Sequence, residues 1–322
     1  MIVNKNFIFS IFITIFFISV CISYYIYKEK QYTVDVFIHK ASHHFKNEEY
    51  FQAIRYYKKL ILMGVTDEKI YINTTISLIR TGNYKKAINY LLNMEKESLP
   101  SSEMYYLLAY SYCLQFKIDN NTNFKIPIKY LEKSIVLDSR NKESYNLLGT
   151  IYEQEKNFEV ARKWYKKALS EDIDNASEFY GLIANTYFKE KNYDTALKYY
   201  ETAIKNNKNY LSAYCSIAEI YTLKGQNDTA KKFYERAIEI DPDYTYPYYK
   251  IGNLFFLQDD YKQALEWYKK VLEIEPNDAV VNYCIGITYK KMNMTEEAEK
   301  HLKSAAYCGN DDALKELNLL KG

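Results

Sequence analysis

A chain of 322 residues that is 48% hydrophobic and 26% charged is too apolar for disorder and long enough for two globular domains or one elongated array. Nine Gly and five Pro are few for a loop-rich or β-rich fold, which leaves helix. The net charge of +2, from 43 basic and 41 acidic residues, excludes the concentrated basic excess that displaces phosphate counterions, so no nucleic acid is expected as a partner.

In chain order, the first element is the uncharged run Phe7 to Tyr27, FIFSIFITIFFISVCISYYIY. As a helix it rises about 31 Å, the thickness of a bilayer's hydrocarbon core. Lys5 precedes it, Lys28 and Lys30 follow it, and Tyr24, Tyr25 and Tyr27 stand where interfacial aromatics belong. Residues 1–30 are therefore expected to be an uncleaved signal anchor, a transmembrane helix that makes the protein single-pass and gives it the membrane as a partner. Lys28, Lys30, Lys40 and Lys46 outnumber Lys5 plus the α-amino group, which places the following chain on the cytoplasmic side. Two alternatives stand beside this: cleavage at Cys21-Ile22-Ser23 to give a secreted protein, and a weak lipoprotein-like box at Ile18-Ser19-Val20-Cys21.

The rest of the chain repeats. A small residue followed four positions later by an aromatic or Leu recurs at Ala53/Tyr57, Ala87/Leu91, Ala161/Tyr165, Ala196/Tyr200, Ala230/Tyr234, Ala264/Tyr268 and Ala298/Leu302. The alanine spacings are 34, 74, 35, 34, 34 and 34. The long gap holds a further repeat of 40 residues with Pro127 and Leu131 in these places, its surplus assigned to the turn Asp119 to Asn123. An earlier signature accompanies several: Tyr145-x-x-Leu148-Gly149-x-x-Tyr152, Tyr214-x-x-Ile217-Ala218-x-x-Tyr221 and Tyr248-x-x-Ile251-Gly252-x-x-Phe255, with Pro242 and Pro276 closing two intervals. Apolar residues inside each unit fall at i, i+3, i+4 and i+7, one stripe of a helix. Second helices are expected to begin near Tyr50, Tyr84, Phe158, Tyr193 and Tyr261, with Gly82, Gly225, Asn157 and Asn192 supplying left-handed turn residues.

These features resemble the tetratricopeptide repeat (TPR) pattern W-x2-L-G-x2-Y…A-x3-F…P over about 34–312, with Tyr in place of Trp and two degenerate repeats at the start. The resemblance implies an all-α TPR α-solenoid, a right-handed superhelix of helical hairpins whose concave surface is lined by the first helix of each repeat. The eight repeats are expected at about 34–67, 68–101, 102–141, 142–176, 177–210, 211–244, 245–278 and 279–312, followed by a capping helix within 311–322.

Nothing in the sequence reads as catalysis. His39 and His43 stand i,i+4 but have no third ligand at a useful spacing, and no phosphate-binding, dinucleotide or nucleophile motif is present. No enzyme activity, cofactor, metal or small-molecule substrate is expected. The concave face should carry Tyr106, Tyr110, Asn146, Thr150, Asn185, Phe188, Tyr249, Asn253, Phe256 and Tyr283, rings and amides suited to an extended peptide. The matched Lys, Asn and Arg with which chaperone-binding TPR domains hold a carboxylate are not found there. Asp35, Glu68, Glu103, Glu143 and Glu178 recur near the starts of first helices, where they complement helix dipoles or form a stripe for a basic partner. The expected function is a membrane-tethered scaffold or adaptor that holds a peptide segment or helical protein partner in the TPR groove. A self-associating structural component and an RNA-binding helical repeat are the alternatives.

Overall fold

The computed structural model describes residues 5–96, 100–120, 123–171 and 173–321, with side chains left out at 5–15, 17 and 321. Seventeen α-helices and no strand occur among the described residues. Contacts divide them into two compact units, 1–151 and 152–322. Each is a helical-repeat solenoid.

The first unit runs through α1 (Lys5–Lys46), α2 (Tyr50–Leu62), α3 (Glu68–Arg80), α4 (Tyr84–Lys96), α5 (Ser102–Ile118), α6 (Lys125–Leu137) and most of α7 (Lys142–Gln154). On α2 the buried residues Ala53, Tyr57 and Leu60 pack with Val34 and Ala41 of α1 and Ile70 of α3, while Ile54 packs with Leu78 of α3 and Ala87 of α4. Fully burying side chains of this size stabilises by about 1.5–3 kcal/mol each, and no hairpin can bury both of its faces alone. The surplus of the 40-residue repeat is not confined to its turn: α5 has 17 residues where α13 (Thr245–Leu257) has 13. Phe116 explains the extra turn, since it is buried and its ring reaches Phe124 at 6.4 Å. Asn121 and Thr122, part of that expected turn, lie outside the described residues.

The run expected to span a membrane belongs to α1, which continues unbroken to Lys46. No helix is long and apolar enough to cross a membrane among the described residues, and the single-pass placement, with its membrane partner and assigned side, is corrected accordingly. The first part of the run, 7–15 and 17, lies outside the residues with described side chains.

The second unit contains α8 (Phe158–Ser170), α9 (Ala176–Lys189), α10 (Tyr193–Asn206), α11 (Leu211–Leu223), α12 (Asn227–Ile240), α13, α14 (Tyr261–Ile274), α15 (Ala279–Lys291), α16 (Thr295–Tyr307) and α17 (Asp311–Lys321). Second helices start at Tyr50, Tyr84, Phe158, Tyr193 and Tyr261, as the sequence pattern requires. Their turns differ from expectation in one respect. Gly82 and Gly225 are left-handed, at φ 73° and 72°, but Asn157 and Asn192 are not. The left-handed residues there are Lys156 and Lys191, one position earlier. Asn157 and Asn192 instead cap the next helix, accepting from the amides of Val160 (3.4 Å) and Thr195 (3.3 Å). Paired backbone bonds, Asn192 N to Tyr187 O and Lys191 N to Phe188 O, close the turn in the Schellman geometry that fixes the left-handed site. Between hairpins, Asp138, Asn207 and Asp241 each accept an amide two residues on, the side-chain turn that separates one repeat from the next.

Aromatic stacks pin the two helices of a hairpin to each other, and cations over rings reach from one hairpin to the next. Tyr187 stacks on Tyr199 at 5.5 Å, Tyr221 on Phe233 at 5.6 Å and Tyr289 on His301 at 5.8 Å. Arg162 of α8 lies 4.3 Å over the Tyr187 ring and pairs with Glu190, while Lys231 of α12 lies 5.4 Å over Phe255. Such contacts contribute about 0.5–2 kcal/mol each. At the end of the unit, Ala313 and Leu317 of α17 bury against Leu302 and Ala305.

Gly252 shows how closely the hairpins are built. A Cβ there would stand 2.4 Å from the Tyr268 ring, so the glycine leaves room for a side chain and not only for a backbone. Gly252→Ala should lower stability by about 1–3 kcal/mol, seen as a lower urea midpoint for the full chain. Gly225→Ala, which has nothing within 4 Å of its Cβ but a left-handed φ of 72°, separates packing from backbone strain.

Candidate interaction site

Two adjoining cavities open on the first helices of the second unit. The larger, about 350 Å³, is walled by Phe188 of α9, Glu219, Thr222 and Leu223 of α11, Tyr234 of α12, and Lys250, Asn253, Leu254 and Leu257 of α13. The smaller, about 170 Å³, is walled by Asn253, Phe256, Tyr268, Tyr283, Cys284 and Ile287. Asn253 borders both.

Tyr234 of α12 and Tyr268 of α14 reach these cavities from second helices. Tyr268 donates its hydroxyl to Asn253 Oδ1 at 2.6 Å, and Tyr200 donates to Asn185 Oδ1 at 2.5 Å. Tyr57 plays the same part in the first unit, accepting from Asn73 at 3.1 Å. A buried phenol needs such a partner, because an unmade hydrogen bond there costs about 1–3 kcal/mol. The carbonyls of Asn185 and Asn253 are thus engaged inside the protein, a duty the sequence pattern did not reveal.

Of the ten residues expected on one face, the structure brings Asn253, Phe256 and Tyr283 together around the smaller cavity, and Phe188 and Asn253 around the larger. Tyr249 lies against Tyr268, ring centres 6.3 Å apart. Tyr106, Tyr110, Asn146 and Thr150 belong to the first unit. There Tyr106 and Tyr110 stack at 6.0 Å, and Thr150 donates to Asn146 at 3.4 Å.

Sequence reasoning missed the polar corner and the apolar ledge of the larger cavity. Lys250 Nζ stands 3.2 Å from Glu219 and 5.1 Å from the centre of the Tyr246 ring, and Tyr246 donates its hydroxyl to the same carboxylate. Leu223 and Leu257 end their helices 59% and 71% exposed. Their 34-residue spacing was the available signal: an apolar residue that recurs at a helix's open end without a core to enter.

The thiols beside these cavities are quiet. Burial pushes Cys215 up to about 12 and Cys284 up to about 11, so neither is a thiolate near neutrality. His43 Nε2 is 3.1 Å from Asn47 Nδ2, and His44 Nδ1 is 2.5 Å from Glu49.

Models of the tetratricopeptide repeat match residues 142–175, 175–243 and 252–293, together less than half of the chain, and these stretches are tetratricopeptide repeats. No curated protein matches the chain by sequence. Among solved structures, yeast Tom70 is similar at 20% identity and a TM-score of 0.64, over 85% of this chain and 59% of that one. The C-terminal part of a TPR repeat-containing protein from Cytophaga hutchinsonii is similar at 16% identity and 0.56, over 75% and 96%. A tetratricopeptide repeat protein from Parabacteroides merdae is similar at 17% and 0.56, over 79% and 98%. These likenesses establish the fold.

The buried phenols carry a pH dependence. Burial pushes Tyr106 and Tyr200 up to about 12 and moves Tyr234 and Tyr268 further in the same direction, whereas an unfolded tyrosine ionises near 10. The folded chain therefore holds these protons more tightly. The stability this confers is complete below about pH 10 and is lost as pH rises toward 12. Urea midpoints should hold steady up to about pH 9.5 and fall above it. The phenolate absorbance of these buried rings should appear together with unfolding, and Tyr200→Phe should flatten the fall.

Proposed function

We propose that this protein is a protein–protein interaction scaffold and that its second unit holds an extended peptide segment along α11, α13 and α15. The observation that carries this reading is the pair of adjoining cavities sharing Asn253, with Leu223 and Leu257 left exposed at their edge. An extended strand places alternate side chains on one side, and successive apolar side chains suit the two cavities in turn. The Glu219–Lys250 corner supplies a polar contact that fixes register. The tetratricopeptide repeats and the fold shared with Tom70 support protein partners as the class of ligand.

Selection of short random peptides on the full chain tests it. Leu223→Ser and Leu257→Ser alter exposed side chains, so the core stays intact. With Tyr283→Ala they should each weaken the selected peptides by about fivefold to thirtyfold, the range for truncating an anchoring contact. Selected peptides that bind all three variants as tightly as the parent chain place the partner elsewhere and remove this assignment.

A further inference from the structure

The second helices of the first unit differ in charge from those of the second. α2, α4 and α6 hold three cations each, against no carboxylate in α2 and one apiece in α4 and α6. In the other unit α8, α10, α12, α14 and α16 hold 14 cations against 11 carboxylates. Several of those pair along their helix, as Lys163 does with Glu159 at 2.9 Å and Lys303 with Glu299 at 2.8 Å. Among the described residues, Lys133 alone of the nine cations on α2, α4 and α6 is ion-paired, to Glu95 at 2.8 Å. That carboxylate also accepts the Tyr105 hydroxyl at 3.0 Å, which leaves Glu132 as the open acid of these helices.

The cations share one surface. Ile54 of α2 packs with Ala87 of α4, and the Glu95–Lys133 pair ties α4 to α6, so the three helices lie side by side. Lys40 of α1 joins them, since it and Lys59 stand 5.7 and 5.6 Å from the centre of the Tyr56 ring. The basic character stops at the first helices, where a cavity of about 520 Å³ is lined by Asp67, Glu68 and Glu103 and a single cation, Lys69. A second feature marks the same surface. Leu62 and Val136, nine positions after Ala53 and Pro127, are 87% and 84% exposed. Leu62 follows Arg55 by seven residues and Lys59 by three, and Val136 stands likewise to Lys129 and Lys133, so helical spacing puts both on the side of the cations. A face that needed only solvation would gain nothing from them; apolar side chains set among charge are the make-up of a docking surface.

We infer that the basic face of α2, α4 and α6 docks an acidic protein segment, with Asp or Glu side chains meeting Arg55, Lys59 and Lys129 and apolar side chains covering Leu62 and Val136. The complement of a face so one-sided in charge is an acidic partner, which it draws in and sets apart from basic ones. The leucine and valine favour protein as the source of that charge, because a phosphate backbone would meet the cations and leave both uncovered. The inference goes beyond the groove of the second unit: it assigns a different surface and a partner of defined sign.

The test uses the full chain and a fluorescent decapeptide of alternating glutamate and leucine, with a lysine-for-glutamate counterpart. The acidic peptide should bind and the basic one should not. Affinity should fall at least about tenfold in Arg55→Gln/Lys59→Gln/Lys129→Gln. It should also fall between about 0.1 and 1 M salt, where the screening length drops from ~10 to ~3 Å. Lys166→Gln/Lys198→Gln/Lys269→Gln removes the same charge from the second unit and should change affinity less than about twofold. Leu62→Ser/Val136→Ser, at unchanged charge, should weaken binding by about fivefold. All of these side chains are exposed, so each variant should melt close to the parent. Equal loss in the two charge triples shows net charge alone at work and overturns the inference, as does equal binding of the two peptides. Tighter binding of a single-stranded decanucleotide, or of phosphatidylserine vesicles, through the same three cations gives the face to another class of partner and also defeats it. Loss on Leu223→Ser and Leu257→Ser instead moves the peptide to the second unit, which defeats this inference and leaves the scaffold reading in place.

Discussion

The constraint on which the rest depends is the seating of a large side chain from each second helix, a tyrosine in five and a leucine in three, against small residues of its neighbour. The largest fully buried side chains are led by six tyrosines, Tyr57, Tyr145, Tyr165, Tyr200, Tyr234 and Tyr268, and five of these stand four positions after an alanine that is itself fully buried. The ring stabilises by its area, and its place is fixed by what the small residues allow. Gly252 and Gly286 leave room for Tyr268 and Leu302 respectively. A ring this long also passes through the hairpin, so its hydroxyl emerges on the face of the first helix and must be met there. The same interaction that closes the hairpin thereby chooses polar residues for the inner surface.

That coupling explains which parts of the molecule were legible in its sequence. The period and the helix starts depend on side-chain size repeated at fixed spacing, and size can be read one residue at a time. The turn chemistry was displaced by one residue. Asn is equally at home in a left-handed site and as a helix cap, and only the backbone decides that Lys191 takes the first place and Asn192 the second. The extra turn of α5 was hidden for a similar reason: a polar DNNTN run marks where a helix stops only after one knows that Phe116 is held in the core. The apolar run near the start read as a span from composition alone, and no helix among the described residues has the required length and apolarity.

The candidate site was legible only in part, because one face of a helix serves two masters. Asn185 and Asn253 were expected to meet a partner's backbone, yet their carbonyls are held by Tyr200 and Tyr268. Asn253 still divides two cavities, but the first role of both is to satisfy a buried phenol. The residues most open to a partner are Leu223 and Leu257, which satisfy nothing inside. An exposed leucine is ordinary when it stands alone. Its weight comes from recurrence at the repeat interval and from a cavity beside it, and the second of these needs coordinates.

Charge is disposed differently around the cavities of the two units. In the second, the Glu219–Lys250 pair together with Tyr246 neutralises the corner of the larger cavity, so discrimination there rests on shape and apolar contact. In the first, Glu68 and Glu103 share one cavity rim with Lys69, and the charge of Glu143 reaches Glu103. A repeat architecture tolerates this difference because each hairpin answers mainly to its neighbours, and a locally unfavourable grouping costs a local stability and not the whole fold.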